Sequence, residues 1–497
     1  MPEPQLSPAK WLQFMLGKLD AQAEAVRAPT DYYNGVHKLA FATAKFREAF
    51  ARYFPPMANN WMKLVVDTPV SRLAVEGFRF DPDPTKPGWD QDADSDARSI
   101  WQANNLDAGS QIAHTEAIKC GVCNVLVTPP ANGEEPLITI EHPSQSYVFC
   151  DYANRHKRLA AIKRWIDEVD RYAYAYLFLP DVVYRYRSTK EVAVGQTLAD
   201  MQWVASTVAD DPVTNNTIGV VPMVPLENAP DLLYGGRSDL EVAMPIQDMV
   251  NKLCLDMMLS SEYHAYPQRW AAGWEAVYDS SGNAVPGEQV ELKVGQSRLV
   301  RANSPDTKFG TFEVGEVDNY IKPIEMYVDH LAAVTQTPAY YLKGKMANLS
   351  AEALHAADAG LIDRCQHKIL SFGDGWEDVM RVAFLAKGDT TRGKAKAVES
   401  LWRNPEVISL AQTVDAAVKM RMSLSTPIEF AWEMLGWSQQ KIVQAKAMMN
   451  LPDSPAEAAR RAAAGGAPVV GRNDLATSQG GVVLPSSVQR SSVPEQR

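Results

Sequence analysis

The feature that most constrains this chain is the run from residue 337 to residue 386. It opens with a lysine-bearing loop, Tyr340-Tyr341-Leu342-Lys343-Gly344-Lys345-Met346-Ala347-Asn348, and then enters the longest helical pattern in the sequence. Ser350 suits the helix N-cap, and Glu352 sits in the first turn, where its charge complements the helix dipole. Apolar residues recur at Leu354, Ala357, Leu361, Cys365, Ile369, Phe372, Trp376, Val379 and Ala383. Steps of three and four put them on one continuous stripe. Gly373 and Gly375 interrupt the stripe and invite a bend. The pattern predicts a moving loop mounted on a beam.

A chain of 497 residues calls for two or more domains, or one elaborate one. Lys+Arg number 49 against Asp+Glu 60, a formal net charge of −11, which disfavours a protein that simply coats duplex DNA. The 5 cysteines are odd in number and unevenly spaced, so no disulfide framework is implied. Met1-Pro2-Glu3-Pro4-Gln5 lacks the basic and apolar regions of a signal peptide, and no apolar run is long enough to span a membrane. These features predict a soluble protein made in a reducing cytoplasm.

Along the chain, residues 8–53 read as helical, with Trp11, Phe14, Met15 and Leu19 on one face and an aromatic turn at Asp31-Tyr32-Tyr33-Asn34-Gly35-Val36-His37. Phe46, Phe50 and Phe54 repeat at one helix face and read as core. Residues 81–96 form an Asp- and Pro-loaded loop, and 100–117 a helix. From 121 to 186 the pattern is an antiparallel meander, with Asn132-Gly133 placed for a hairpin reversal and residues 220–226 closing the region. Ser238 and Glu241 have capping-box spacing after Gly235-Gly236-Arg237, and Pro245 should kink or restart the helix that follows. That helix carries a seam of Ile246, Val250, Leu253 and Met257. Residues 267–319 read as a small β-rich insert. A second helix then shows Ile324, Val328 and Leu331, with Pro323 in its first turn.

The search for chemistry finds little. Gly344-Lys345 is not a phosphate loop, because Met346 follows and the upstream glycine is missing. Asp363 and His367 lie one helical turn apart but have no third ligand in sequence, so a solvated helix face is the simpler reading. Cys120-Gly121-Val122-Cys123 has redox spacing, yet it leads into a strand rather than a helix, which favours a structural pair. Gly235-Gly236-Arg237-Ser238 could hold an anion, though any glycine-preceded helix start looks the same. No catalytic site, metal or cofactor emerges, which shifts weight towards an architectural role.

The order helix, β-insert, helix, loop, long helix resembles the portal protein of tailed double-stranded DNA bacteriophages. The resemblance runs from about residue 31 to 450. It rests on residues 31–37, on 60–67 with Arg72-Leu73-Ala74-Val75-Glu76-Gly77-Phe78, on 240–270, and on Ser350-Ala351-Glu352-Ala353-Leu354 with Trp376-Glu377. It implies an α+β portal-type fold assembled as a ring, usually of twelve copies, at one capsid vertex. By resemblance, residues 1–236 are the wing, 237–266 the first stem helix, 267–319 the clip and 320–336 the second stem helix. Residues 337–349 are then the tunnel loop, 350–403 the long wing helix and return, 404–450 the crown, and 451–497 a disordered tail. The implied partners are DNA in the channel, the terminase large subunit, the head-to-tail adaptor, the major capsid protein and scaffold, and no membrane. The implied location is the virion, after synthesis in the host cytoplasm. Lys343, Lys345 and Asn348 become the expected DNA contacts, and Ile246, Val250, Leu253, Met257, Ile324, Val328 and Leu331 the expected seam between subunits. Roughly twelve copies at −11 each would make a negative body that keeps DNA mobile. The alternatives are another structural ring or head protein, and a metal-dependent nuclease.

Overall fold

The computed structural model describes the chain except for residues 1–6, 39, 41–43, 46–47, 49–58, 82–89, 131–133, 194–197, 199–200, 207–210, 234, 266–268, 273–275, 282, 290–307, 312–317, 345–350, 407–409, 425, 438 and 450–497. Helices and sheets are mixed, as an α+β reading requires. The chain resolves into two compact units, residues 1–438 and 439–497. Of the second, the described part is one helix, Gln439–Met449.

The first unit opens with α1 (Pro8–Tyr33), started by Pro8 and ended before Asn34 and Gly35. The aromatic turn expected at residues 31–37 falls at Asn34 and Gly35, where α1 ends, and Phe46, Phe50 and Phe54 lie outside the described residues. Helix α2 (Trp61–Val70) is capped by Asn60, whose side chain accepts from Lys63 N, and leads into β1 (Val75–Asp81). The acidic loop is shorter than the sequence suggested. Asp90 caps α3 (Gln91–Ala103), and Asn105, at φ 53°, separates it from α4 (Leu106–Cys120). Asparagine tolerates that left-handed turn better than most residues.

The expected meander is two sheets. One is β10-β2-β3, built from β2 (Val122–Thr128), β3 (Leu137–Glu141) and β10 (Met223–Glu227). The hairpin of β2 and β3 pairs Thr128 with Leu137, while Asn132 and Gly133 lie outside the described residues. The other sheet runs β4 (Ser146–Cys150), β5 (Arg158–Ile166), β6 (Ala173–Phe178), β7 (Val182–Ser188) and β8 (Trp203–Ala205), with β9 (Val213–Asn215) also on β7. Alternation gives this sheet two different faces. Ala160, Ile162, Ala175 and Leu177 cover Leu12, Met15 and Leu19 of α1, and Asp20 on α1 pairs with Arg164 at 2.6 Å.

Helix α5 (Met244–Ala265) starts six residues after Ser238, with Pro245 in its first turn, so the proline restarts the helix. Ser238 caps nothing helical. Its hydroxyl accepts from Leu240 N at 3.1 Å and donates to Lys119 O at 2.5 Å. In the insert, β11 (Arg269–Ala272) pairs with β14 (Lys308–Thr311), and β12 (Ala276–Tyr278) with β13 (Ala284–Gln289). Residues 290–307 and 312–317 of the expected insert lie outside the described residues. Helix α6 (Asp318–Thr335) begins earlier than expected, which places Pro323 inside it and beyond the first turn. A five-residue helix, α7 (Ala339–Lys343), precedes the long α8 (Ala351–Ala386). After α9 (Thr390–Gly393), β15 (Ala397–Trp402) pairs antiparallel with β1, tying late chain to early chain. Helices α10 (Leu410–Leu424) and α11 (Ile428–Met434) follow.

The main core gathers α2, α3, α4, β2, β10, α6 and α8 around Trp101, Phe80, Phe372, Trp376 and Phe384. Helix α8 is the member that reaches from this core to the loop.

Candidate functional site

The loop expected at residues 337–349 is helical at its base. Thr337 N donates to Ala332 O at 3.0 Å, with Gln336 in a left-handed conformation at φ 50°, which ends α6. Pro338 then starts α7, and Gly344, at φ 63°, ends it through its N–H to Tyr340 O at 3.0 Å. The five-residue α7 is far too short to persist alone. Side chains from α8 and elsewhere fix it.

Two charged clamps do so. Arg364 on α8 donates to Thr335 O at 2.7 Å, to Thr337 Oγ1 at 3.3 Å and to Val65 O at 3.2 Å, and it pairs with Asp239. It thereby satisfies the last carbonyl of α6, an acceptor the helix cannot satisfy itself. Lys368, one turn further along, lies 2.7 Å from Asp239 and donates to Asn228 Oδ1 at 2.6 Å. All three ionised groups are largely buried. Burial pushes the Asp239 carboxyl up, but Lys368 and Arg364 outweigh it and hold that carboxyl well below the usual range. Burial drives the Lys368 ammonium down, against the pull of Asp239.

In the second clamp, Asp358 on α8 accepts from Tyr340 Oη at 2.5 Å and from Arg72 at 2.8 Å. Arg72 also donates to Tyr341 Oη at 3.2 Å and Pro405 O at 3.2 Å. The rings of Tyr340 and Tyr341 stack at 4.6 Å. A cavity of about 330 Å³ opens beside the first clamp, lined in part by Val242, Val334, Gln336 and His367.

The far half of α8 is held in the core. Trp376 Nε1 donates to His114 Nε2 at 2.9 Å, and the His114 ring stacks on Phe372 at 5.1 Å. Complete burial takes the His114 imidazole down to about 3, so it is neutral. The glycines predicted to bend α8 leave it continuous. A Cβ at Gly375 would run into Leu226 Cδ2, and one at Gly373 would lie 2.9 Å from Ser400 Oγ. They are glycines because β10 and β15 pass close by.

The chain matches the family model described as phage portal protein, SPP1 Gp6-like, over residues 13–450. That span is most of the sequence. The chain belongs to the phage portal protein family. It is 26% identical over 423 residues to the portal protein of Mycobacterium phage D29, covering 82% of this chain and 81% of that protein. To the portal protein of Mycobacterium phage L5 it is 27% identical over 372 residues, covering 73% and 72%. A chain of the virion of a native gene transfer agent particle aligns over 78% of this chain and 91% of its own length, at a TM-score of 0.40 and 11% identity, too distant to carry an argument. The family is a structural one, its members are components of the phage virion, and portals form the DNA channel of the capsid. No helix among the described residues is long and apolar enough to cross a membrane.

Within this portal chain the expected site residues separate. Lys343 is described, and its ammonium lies 2.5 Å from Asp329 Oδ1. The sequence showed no acid within the loop, but α6 supplies one. Lys345 and Asn348 lie outside the described residues, as does Ser350. Of the expected seam, Val250, Val328 and Leu331 are buried within the single chain, and Ile246 and Ile324 pack partly against its core. Leu253 and Met257 are half-buried. The buried face of α5 is turned from the predicted stripe, towards Gln247, Asn251 and Cys254. Polar partners explain the rotation. Gln247 accepts from Trp61 N at 3.1 Å and donates to Asn59 O at 2.9 Å, and Asn251 bonds His37 at 2.8 Å. Asp363 and His367 are exposed and 3.8 Å apart, a solvated helix face.

Sequence reasoning missed Asp239, Arg364, Lys368, Arg72 and Asp358. One clue was present: Asp358, Arg364 and Lys368 fall on the apolar stripe of α8 itself, where a charge needs a partner.

Proposed function

We propose that this portal chain assembles as a ring of about twelve copies, with residues 337–349 narrowing a central channel for double-stranded DNA. On this reading residues 1–236 and 350–403 form the wing, 237–266 and 320–336 the stem, 267–319 the clip and 404–450 the crown. The terminase large subunit docks on the ring during packaging, the head-to-tail adaptor binds afterwards, and the major capsid protein and scaffold surround it.

The observation that carries this is the double clamp at the loop base. Arg364 and Asp358, both on α8, fix Thr335–Thr337 and Tyr340, on either side of the start of α7, against the body of the chain. A constriction on moving DNA needs a rigid root, and this one is held by buried charge-assisted bonds. Lys343 then serves DNA by exchange, because phosphate must compete with Asp329 for its ammonium. That makes the contact weak and transient, as sliding requires. The faces open to a neighbouring copy are apolar positions that the single chain leaves exposed: Met326 and Val334 on α6, and Val414, Val418 and Met422 on α10. The half-buried Leu253 and Met257 extend that surface on α5.

Electron microscopy of the full chain, alone and with scaffold and capsid protein, tests the reading. Rings with a central hole are expected. Compact particles of one or two subunits, in the presence of scaffold and capsid protein, would refute it.

A further inference from the structure

One cluster lies away from the loop and is used by nothing described above. It forms where α4 ends. Glu116 and Cys120 are one helical turn apart on α4, so both side chains leave the same face. His142 follows β3 directly and points at them. Its Nε2 is 3.2 Å from Glu116 Oε2, and Cys120 Sγ is 3.8 Å from the same oxygen. The three donor atoms all lie within 4.8 Å of one another.

We propose that Glu116, Cys120 and His142 bind one zinc ion, with a fourth position open to water. Tetrahedral zinc with bonds of about 2.0–2.3 Å holds neighbouring donors about 3.3–3.8 Å apart. The two measured edges match that spacing with little movement. The donor set is one thiol sulfur, one imidazole nitrogen and one carboxylate oxygen. Sulfur and nitrogen together favour zinc over magnesium or calcium.

The surroundings suit a ligand shell. Ser144 Oγ is 2.7 Å from His142 Nδ1 and can accept a hydrogen bond from Nδ1–H, the tautomer that leaves Nε2 free for metal. Ser144 N, now 3.1 Å from the same nitrogen, gives up that contact when the tautomer changes. Thr30 Oγ1, 3.6 Å from Cys120 Sγ, can donate to a thiolate by turning its hydroxyl from Val26 O, 2.8 Å away. The Cys120 proton leaves to solvent as the metal–sulfur bond forms. Cys123 is not a ligand, because its Sγ lies against Glu141 O at 3.7 Å and Asn124 O at 3.9 Å. The paired-cysteine spacing in the sequence thus has one ligand member only.

Lys119 is the competing cation. Its ammonium is 2.7 Å from Glu116 Oε1 and 2.6 Å from Oε2. When metal takes Oε2, Lys119 keeps Oε1, and its repulsion weakens the site. The bound ion would tie the end of α4 to the turn between β3 and β4.

The test uses the full chain stripped of metal, then titrated with Co²⁺ for thiolate-to-metal absorption and with Zn²⁺ against a chromogenic chelator. About one equivalent per chain is expected. Cys120→Ser and His142→Gln should each weaken binding by at least about tenfold, while Cys150→Ser and His367→Gln leave it unchanged. Lys119→Met should tighten it. Circular dichroism of each variant checks folding, and His142→Gln, at a partly exposed position, guards against a misfolded Cys120 variant. Binding far below one equivalent, or binding that survives His142→Gln in a folded chain, overturns the proposal.

Discussion

At the scale of single residues, the clamp on α8 works through imbalance. Asp239 has two cationic partners, and removing either changes the cost of burying the other groups. Arg364→Leu leaves Thr335 O with only the long Thr337 Oγ1 contact, 3.4 Å, and Asp239 with Lys368 as its one cationic partner. Breaking a buried pair by deleting one partner typically costs about 3–5 kcal/mol, so a clear fall in thermal midpoint is expected by calorimetry. The pH dependence follows from His114. Its folded value, about 3, is below the ordinary 6.5, so the neutral form is the one the fold accommodates. The unfolded chain therefore takes up a proton first as pH falls. Stability is complete above about pH 6.5 and is lost progressively towards pH 3. The slope from this group is about 1.4 kcal/mol per pH unit. Denaturant titrations across that range should show it, and His114→Gln should flatten it between pH 6.5 and 4. A slope unchanged in the variant would assign the effect to other groups. Asp239 acts in the same direction at lower pH, since its depressed carboxyl stabilises the fold above the ordinary carboxylate range and stops doing so only as pH falls through its own low value.

At the scale of elements, close approach decides more than propensity. Helix α8 would gain up to about 1 kcal/mol from alanine at Gly375, yet the added carbon meets Leu226 Cδ2, and Leu226 is fully buried, so its side chain can turn away only into packed neighbours. Gly375→Val should lower stability by about 1–3 kcal/mol through overpacking, measured by chemical denaturation. A stabilised variant would mean that β10 can move. Gly236 is tighter still, because its neighbour is backbone. A Cβ there would collide with Gly121 O, at the crossing where α4 ends and the chain turns towards α5. The turn at residues 235–237 is thus a packing requirement as well as a break between β10 and α5.

At the scale of the whole molecule, predictions concern assembly and DNA. Met326→Glu with Val334→Glu puts charge on an exposed face of α6 and leaves the buried stripe of Val328 and Leu331 intact. Subunits should fold with an unchanged thermal midpoint but fail to form rings in sedimentation. Charge reversal at Lys343 and Lys345 should do the opposite: rings assemble, while packaged or retained DNA falls in a packaging assay. Normal packaging by that variant would remove the loop lysines from the mechanism. The Lys343–Asp329 pair adds a finer test. Asp329→Asn frees the ammonium, and DNA retention should rise while the salt dependence of binding steepens.

Much of this was legible in the sequence because it depends on local period. The long helix, its apolar stripe, the hairpin of β2 and β3 and the β-rich insert each follow from patterns within a few dozen residues, since burying one face imposes its spacing on the chain. The resemblance to portals rested on the same order of elements, and the family comparison agrees with it. What the sequence left open is set by partners far apart along the chain. Arg364 and Asp239 are 125 residues apart, Arg72 and Asp358 are 286, and Trp376 and His114 are 262. No local pattern shows that charges on an apolar stripe will meet an acid from another element. The same distance effect turned α5 onto its polar face, while the adjoining α6 gave Lys343 an acid that its own loop lacks. Period fixes which face of an element is buried, and only the tertiary structure decides what that face meets.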